Sequence, residues 1–439
     1  MKPLSLLLLT LTTSISALPN PLPQDQPSPA PAPAALSPPI LPLFSFSRWI
    51  LDSSSPPKRI KLRCLNWAGH LETNIPEGLH RQSLEYITTW IAKQNFNCVR
   101  LTFSSDLTFS GPTTPVHTSF TVTSQQQSKP ALINEIYPSI ISKNPWITPN
   151  TTTLDVFAAV VDSLSEKGIM TILDNHVSKA SWCCNLTDGN GWWDTASGYN
   201  PFNSRFFNTD NWLKSLEFMA SWAKAHKGVV GMGLRNELRA FLLQDLNGRR
   251  DWYTNIKKAG DLVHATHPDL LILVGGAQSS TDLVHLKTKM LDTSGWQGKN
   301  VWEMHAYSFT VTFPDPFKNC DLVQAGYGFW SGFVLEQGKA YTGPLIMSEF
   351  GVGMQGSDVN GEFGGLDEKD HRYLDCLVGY LKGNDADWAV WAIQGSYYIR
   401  EGTVDYDETW GLMDHEWKEW RNEKFRAKIG GLYEVTQGP

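Results

Sequence analysis

Val229-Val-Gly-Met-Gly-Leu-Arg-Asn-Glu237 is apolar for the length of a strand and then turns abruptly polar. Continuous rather than alternating hydrophobicity marks a strand buried on both faces, as in a parallel sheet. Seven further runs share this pattern: Arg59–Ala68, Cys98–Phe103, Ile169–His176, Leu270–Gly275, Val301–Tyr307, Leu345–Phe350 and Trp388–Ile393. Most are followed by a longer amphipathic stretch. Leu84, Ile87 and Ile91 recur at helical spacing, as do Leu154, Phe157, Val160, Val161 and Leu164 before Gly168, and Trp212–Lys227, Trp252–Thr266 and Lys369–Lys382 also read as helices. Eight strand-then-helix units with right-handed crossovers close into a (β/α)₈ TIM barrel, expected as a single domain with loop insertions on one face. The competing open doubly wound sheet needs a phosphate-cradling loop after its first strand, and Leu65-Asn-Trp-Ala-Gly-His70 is not one. A formal G-x-G-x-x-G match, Gly351 to Gly356, follows the seventh run but leads into Ser-Asp-Val-Asn-Gly361 rather than opening a helix.

Barrel enzymes carry their reactive groups at the C-terminal ends of the strands. In chain order these ends offer Asn66-Trp67, Arg100, Asp174-Asn-His176, Asn236-Glu237, Gln278, His305-Ala-Tyr307, Glu349 and Trp391. Two carboxylates stand out, Glu237 after the fourth run and Glu349 in the seventh. Cleaving a glycosidic bond needs one protonated carboxyl to help the leaving oxygen depart and one ionised carboxylate to attack the sugar carbon. Asn236 and burial favour a neutral Glu237, and Arg100 with a tyrosine hydroxyl favours an ionised Glu349. Glu303 lies two residues before His305, on the same strand face but deeper, where a hydrogen-bonding role is expected, and Asp174 reads the same way. Trp67 and Trp391 are expected to face the cleft. Trp182, Trp192 and Trp193, in a Gly- and Asn-rich segment after the third run, suit either a cleft wall or simple loop packing.

With those residues in place, Gly233-Leu-Arg-Asn-Glu237 resembles the Asn-Glu signature of family 5 glycoside hydrolases, and Ile346-Met-Ser-Glu-Phe-Gly351 resembles that family's nucleophile strand. His305-Ala-Tyr307, Arg100 and Asp174-Asn-His176 are similar to its His-Xaa-Tyr pair, its strand-two arginine and its strand-three histidine. The resemblance spans about 340 residues in the family's order. It implies a TIM barrel, retention of anomeric configuration, no cofactor, Glu237 as acid/base and Glu349 as nucleophile. It further implies that Asn236 binds the sugar 2-hydroxyl, that Arg100 and Tyr307 orient the nucleophile, and that Trp391 stacks under a sugar ring, with His176 and His305 completing the site. Many members carry Pro after the acid/base. Here Glu237-Leu-Arg239 follows a second arginine, Arg235, and with Cys183-Cys184 and Asp188-Gly-Asn-Gly-Trp-Trp193 this resembles a plant and fungal subgroup.

The expected reaction is hydrolysis of a cell-wall β-glucan, endo-β-1,4-glucanase-like. Mannan, β-1,3- or β-1,6-glucan, small-aglycone glycosides and transglycosylation share the mechanism and differ by loop shape. A carbohydrate-binding protein that has lost catalysis need not keep both glutamates. A metal-dependent hydrolase is disfavoured because no His/Asp/Glu cluster has ligand spacing.

Of the 439 residues, the first 17 read as a signal peptide, with Lys2, an apolar run from Leu4 to Leu9 and a small-residue end at Ser16-Ala17. Residues 18–43, rich in Pro, Ala and Ser, read as a tail or linker, leaving 44–439 as the folded domain of a secreted, extracellular protein. Net charge −7 with no basic run excludes nucleic acid and an anionic membrane as expected partners; an oligo- or polysaccharide and a monomer are expected. Six cysteines in an exported chain allow three disulfides. Adjacent Cys183 and Cys184 are expected to reach separate partners rather than each other, and Cys64 and Cys98, in apolar runs, are candidates for buried free thiols. Asn150-Thr-Thr and Asn185-Leu-Thr are glycosylation sequons.

Overall fold

The computed structural model describes residues 38–194, 198–241, 243–246, 249–309, 319–356, 362 and 364–439. The segment read as a signal peptide, most of the proline-rich tail and residues 357–361, which follow the glycine-rich match, lie outside them. A short antiparallel hairpin opens the body, β1 (Phe44–Phe46) and β2 (Trp49–Leu51). Eight parallel strands then close on themselves: β3 (Arg63–Trp67), β4 (Cys98–Ser104), β5 (Met170–Val177), β6 (Val229–Gly233), β7 (Leu271–Gly275), β8 (Asn300–Ala306), β9 (Leu345–Phe350) and β10 (Asp387–Val390), which pairs back with β3. Each coincides with one of the apolar runs, and the fold is a (β/α)₈ barrel.

The layout of the interior follows from strand alternation. In β4, Val99, Leu101 and Phe103 face outward into the layer beneath the helices, while Cys98 faces the barrel axis with Met170, Ile172, Val230, Leu271, Leu273, Val301 and Ile346. Leu43 and Ile50 join this axial cluster, so the opening hairpin packs onto its floor and the folded body starts before residue 44. Two residues further along, the same inward positions carry Arg100, Asp174 and Glu303. The barrel is therefore apolar at its lower end and ionic at its upper end, where the site lies.

The amphipathic stretches fold as helices, including Leu84–Lys93, capped by the Ser83 side chain, and Thr153–Glu166, which opens with a reciprocal capping box between Thr152 and Asp155. The second of these ends before Gly168, whose φ of +73° suits glycine. Thr209–Ala223, Arg250–Thr266 and Glu368–Asn384 match the other three stretches. Two insertions had no sequence assignment. Residues 105–143 form short helices, among them Val116–Gln127, whose Ser, Thr and Gln content hides any apolar stripe. After β10, a hairpin of β11 (Ser396–Arg400) and β12 (Thr403–Asp407) rises beside the site.

The cysteines correct two expectations. Cys64 and Cys98 are not free thiols: they are register partners on β3 and β4, both inside the barrel, and are disulfide-bonded. Cys183 and Cys184 are bonded to each other rather than to separate partners; the peptide joining them is cis, which brings their Cα atoms to 3.1 Å. Cys320–Cys376 ties the helix Cys320–Trp330 to Glu368–Asn384. No helix among the described residues is long and apolar enough to cross a membrane.

Candidate active site

Arg100, fully buried on β4, organises the upper barrel. Its Nη1 donates to Glu349 Oε1 at 2.8 Å and to Asn66 Oδ1 at 3.0 Å, and its Nη2 donates to Asn236 Oδ1 at 3.0 Å. Asp174 lies 2.8 Å from Nη2 and Glu303 lies 3.6 Å from Nε. Burial alone would lower the guanidinium pKa, but three carboxyls win and push it up, so Arg100 carries a fixed charge.

Glu349 faces this cation because of an irregularity in β9. Leu345, Met347 and Phe350 all face outward although the last two are three residues apart, and the pairing with β8 shifts between Met304 and His305. A bulge of this kind re-aims side chains, and here it turns Glu349 inward opposite His305. Its Oε2 accepts from the Tyr307 hydroxyl at 3.0 Å and lies 3.5 Å from His305 Nδ1. Glu237 follows β6 with φ +35°, on the positive side that non-glycine residues adopt uncommonly. Its Oε1 is 3.0 Å from His305 Nδ1, and the Ser279 side chain also bonds to it. Ser279 sits in a run of three left-handed residues, Gln278, Ser279 and Ser280, after β7; nothing in their sequence signals that geometry.

The two glutamates have unequal surroundings. Burial pushes the Glu237 carboxyl up to about 7, against the weaker opposing pull of Arg239 and Arg100. Burial also raises Glu349, opposed by His305 and by Arg100 in direct contact, so the contacts expected to favour its ionised form are present but do not outweigh burial. Burial lowers the pKa of His305 and drops that of His176 well below the ordinary imidazole range. His176 is thus held neutral, and His305 is shifted toward its neutral form against the opposing pull of Glu349. His176 Nδ1 bonds to Asp174 Oδ2 at 2.7 Å, its Nε2 faces the Asn236 amide nitrogen at 3.3 Å, and its ring stacks on Trp391 with centroids 5.5 Å apart.

Glu237, Glu349, Arg100, His176, Asn236, His305, Tyr307 and Trp391 are thus one cluster. Trp67 is not part of it. Asn66 takes the inward position beside Arg100, so alternation turns Trp67 outward into the core, where its indole donates to the Glu77 carbonyl at 2.9 Å. Trp192 and Trp193 are likewise fully buried loop packing, whereas Trp182 lines the cleft. The spacing of the sequence shows no ligand cluster, yet the fold gathers Glu237, His305 and Glu349 with ligand-capable atoms within 4.8 Å of one another. The neighbouring positive charges are those of Arg100, beside Glu349, and Arg239, 3.9 Å from Glu237.

Above the glutamates opens a cavity of about 350 Å³, near the lower end of the ligand-pocket range. Trp391, His176, Trp182 and the Cys183–Cys184 disulfide line it, with the Trp182 ring edge-on to Trp391. The hairpin supplies Arg400, stacked 3.5 Å over the Trp182 ring and bonded at 2.6 Å to Glu408. Tyr307, Phe309 and Trp410 complete the rim. None of Trp410, Arg400, Glu408, Phe309 and Ser279 follows from strand-end reasoning, because each lies in a loop or hairpin beyond the strands.

The family model described as cellulase (glycosyl hydrolase family 5) matches residues 66–396. A glycosyl hydrolase 5 family protein of Chamaecyparis obtusa is 35% identical over 405 residues, covering 91% of this chain and 67% of that protein. An endoglucanase of Paenibacillus polymyxa is 22% identical over 399 residues, 85% of this chain and 83% of the relative. Among solved structures, a cellotetraose complex of the endocellulase from Pyrococcus horikoshii superposes with a TM-score of 0.65 at 17% identity, covering 89% of this chain and 99% of that one.

Proposed function

The chain belongs to glycosyl hydrolase family 5 and is a glycosidase of oligosaccharides, and from that premise we propose that it is a secreted, retaining endo-β-1,4-glucanase working through Glu349 and Glu237. One observation carries the reading: a buried carboxyl, Glu349, and a partly buried one, Glu237, in unequal surroundings face each other with oxygens within 4.8 Å. Retaining enzymes hold theirs about 5–5.5 Å apart, whereas inverting ones leave about 6.5–9.5 Å for a water molecule.

In the first step a Glu349 oxygen attacks the anomeric carbon while the Glu237 carboxyl gives its proton to the departing glycosidic oxygen, leaving a glycosyl ester on Glu349. In the second step the Glu237 carboxylate takes a proton from water, the resulting hydroxide equivalent attacks the same carbon, and Glu349 leaves. Arg100 and Tyr307 hold the nucleophile in line, Asn236 binds the 2-hydroxyl, and Trp391 lies under the ring at the cleavage point. The names of the bacterial and archaeal relatives support the glucan substrate, and three disulfides support an oxidising compartment, hence export through the N-terminal segment.

The pH dependence has a definite sign. Glu237 must be protonated for the first step, so kcat/KM on soluble cello-oligosaccharides falls as pH rises through about 7. Glu349 must be ionised, so the acid limb lies above the ordinary glutamate range. A profile flat through pH 7 removes Glu237 from the acid role. Proton NMR of the first product is expected to show the β-anomer, and initial release of the α-anomer overturns retention.

A further inference from the structure

The reaction leaves two sequence features without a role: the adjacent cysteines Cys183–Cys184 and the arginines flanking Asn236-Glu237. The structure joins them. Arg239 Nη2 donates to both oxygens of Asp188, at 3.0 and 2.8 Å, its Nε donates to the Asn185 carbonyl, and its Nη1 donates to the Glu237 carbonyl and lies 3.6 Å from Cys183 Sγ. Arg235 Nη1 donates to Asn175 Oδ1 at 2.8 Å and its Nη2 to the Asn190 carbonyl at 2.7 Å. The segment from Cys183 to Asn190 is thereby fastened to the ends of β5 and β6. Its fixed product is the position of the disulfide, with Cys183 Sγ 3.8 Å and Cys184 Sγ 3.6 Å from the Asn236 amide nitrogen, inside the cavity wall.

That nitrogen has little else to bond. Arg100 occupies Asn236 Oδ1 and so fixes the orientation of the amide, leaving Nδ2 with His176 Nε2 at 3.3 Å and two sulfurs. Sulfur is polarizable and a weak acceptor, so it covers the amide without satisfying it. A serine or a water molecule at the same place would saturate the donor. We propose that the Cys183–Cys184 disulfide is a specificity-determining wall of the sugar site, which excludes water from the Asn236 amide and keeps its N–H for one sugar hydroxyl, the one next to the anomeric carbon. This rests on the assignment of Glu237 and Glu349 above.

A site that reserves a buried donor for a substrate hydroxyl rejects the analogue lacking it by about 10⁴-fold or more. The test compares kcat/KM for an aryl β-cellobioside and its analogue lacking the 2-hydroxyl on the ring that bears the aryl group. In the wild type the ratio is expected to be of that size; in C183A/C184A it falls at least about tenfold, and in C183S/C184S, whose hydroxyls accept from the amide, it falls further. A purely structural disulfide lowers both rates together and leaves the ratio intact, which overturns the proposal. C320A/C376A, remote from the cavity, keeps the wild-type ratio. Should the double variants fail to fold, a water-soluble phosphine applied to folded C320A/C376A converts the exposed-side disulfide to two thiols, with the phosphine oxidised and water supplying its oxygen. The ratio is again expected to fall, and an unchanged ratio with two thiols titrated overturns the proposal. A wild type inactive on both glycosides, and on cello-oligosaccharides, instead sinks the assignment of the glutamates and this inference with it.

Discussion

Glu349→Gln is expected to lower kcat/KM on cello-oligosaccharides by at least about 10⁴-fold, the scale on which removal of a covalent nucleophile is felt. The substitution is nearly isosteric. Its amide oxygen still accepts from Arg100, and its amide nitrogen can donate to the Tyr307 hydroxyl, which now turns its lone pair toward it, so both contacts of the carboxylate survive in altered form. The melting temperature is therefore expected to stay close to that of the wild type, and the loss is chemical. Glu349→Ala adds a sharper readout. It opens space where the carboxylate stood, and azide entering from that face attacks the anomeric carbon and expels an activated aryl leaving group, giving an α-glycosyl azide. Rescue by azide with that stereochemistry identifies the nucleophile. Near-normal activity of Glu349→Gln, or a β-glycosyl azide from Glu349→Ala, sinks the assignment.

The strands and their reactive ends were legible because a parallel barrel buries both faces of each strand, and that leaves a periodicity-free apolar run with a polar terminus. Glu237 and Arg100 follow from this rule. Glu349 was identified by residue type and position, but the bulge that turns it inward has no sequence mark; strict alternation from Ile346 points it outward. Trp67 failed for the complementary reason, since Asn66 holds the inward place and alternation applies without a bulge. Features built after the strand ends were invisible: the left-handed turn at Ser279, the Arg400–Glu408 pair on the β11–β12 hairpin, and the bond between Cys183 and Cys184 all depend on backbone paths set by tertiary packing. The charge balance was half legible. Arg100 and Tyr307 do contact Glu349, yet burial raises its pKa all the same.

Arg100→Met is expected to destabilise the protein by about 3–5 kcal/mol at neutral pH, in addition to abolishing activity. The guanidinium, fully buried, stands against Asp174, Glu303 and Glu349 and also fills the acceptor oxygens of Asn66 and Asn236. Methionine replaces its volume and none of its charge. The three carboxyls, already raised by burial and each lowered by Arg100, then rise further and take up protons. The pH dependence of the defect follows from linkage. Groups whose folded pKa exceeds the unfolded value bind more protons when folded, so their contribution favours the folded state below the unfolded pKa and is lost as pH rises through the folded one. The stability gap between wild type and Arg100→Met is therefore smallest near pH 4 and widens toward neutrality, as measured by urea unfolding at several pH values. Arg100→Lys restores part of the stability, because one ammonium supplies the charge but not the two-sided fork that reaches Glu349 and Asn236 together. A gap independent of pH would show that Arg100 acts through packing alone. In that case the ionised state of Glu349 would have to be maintained by Tyr307 and His305.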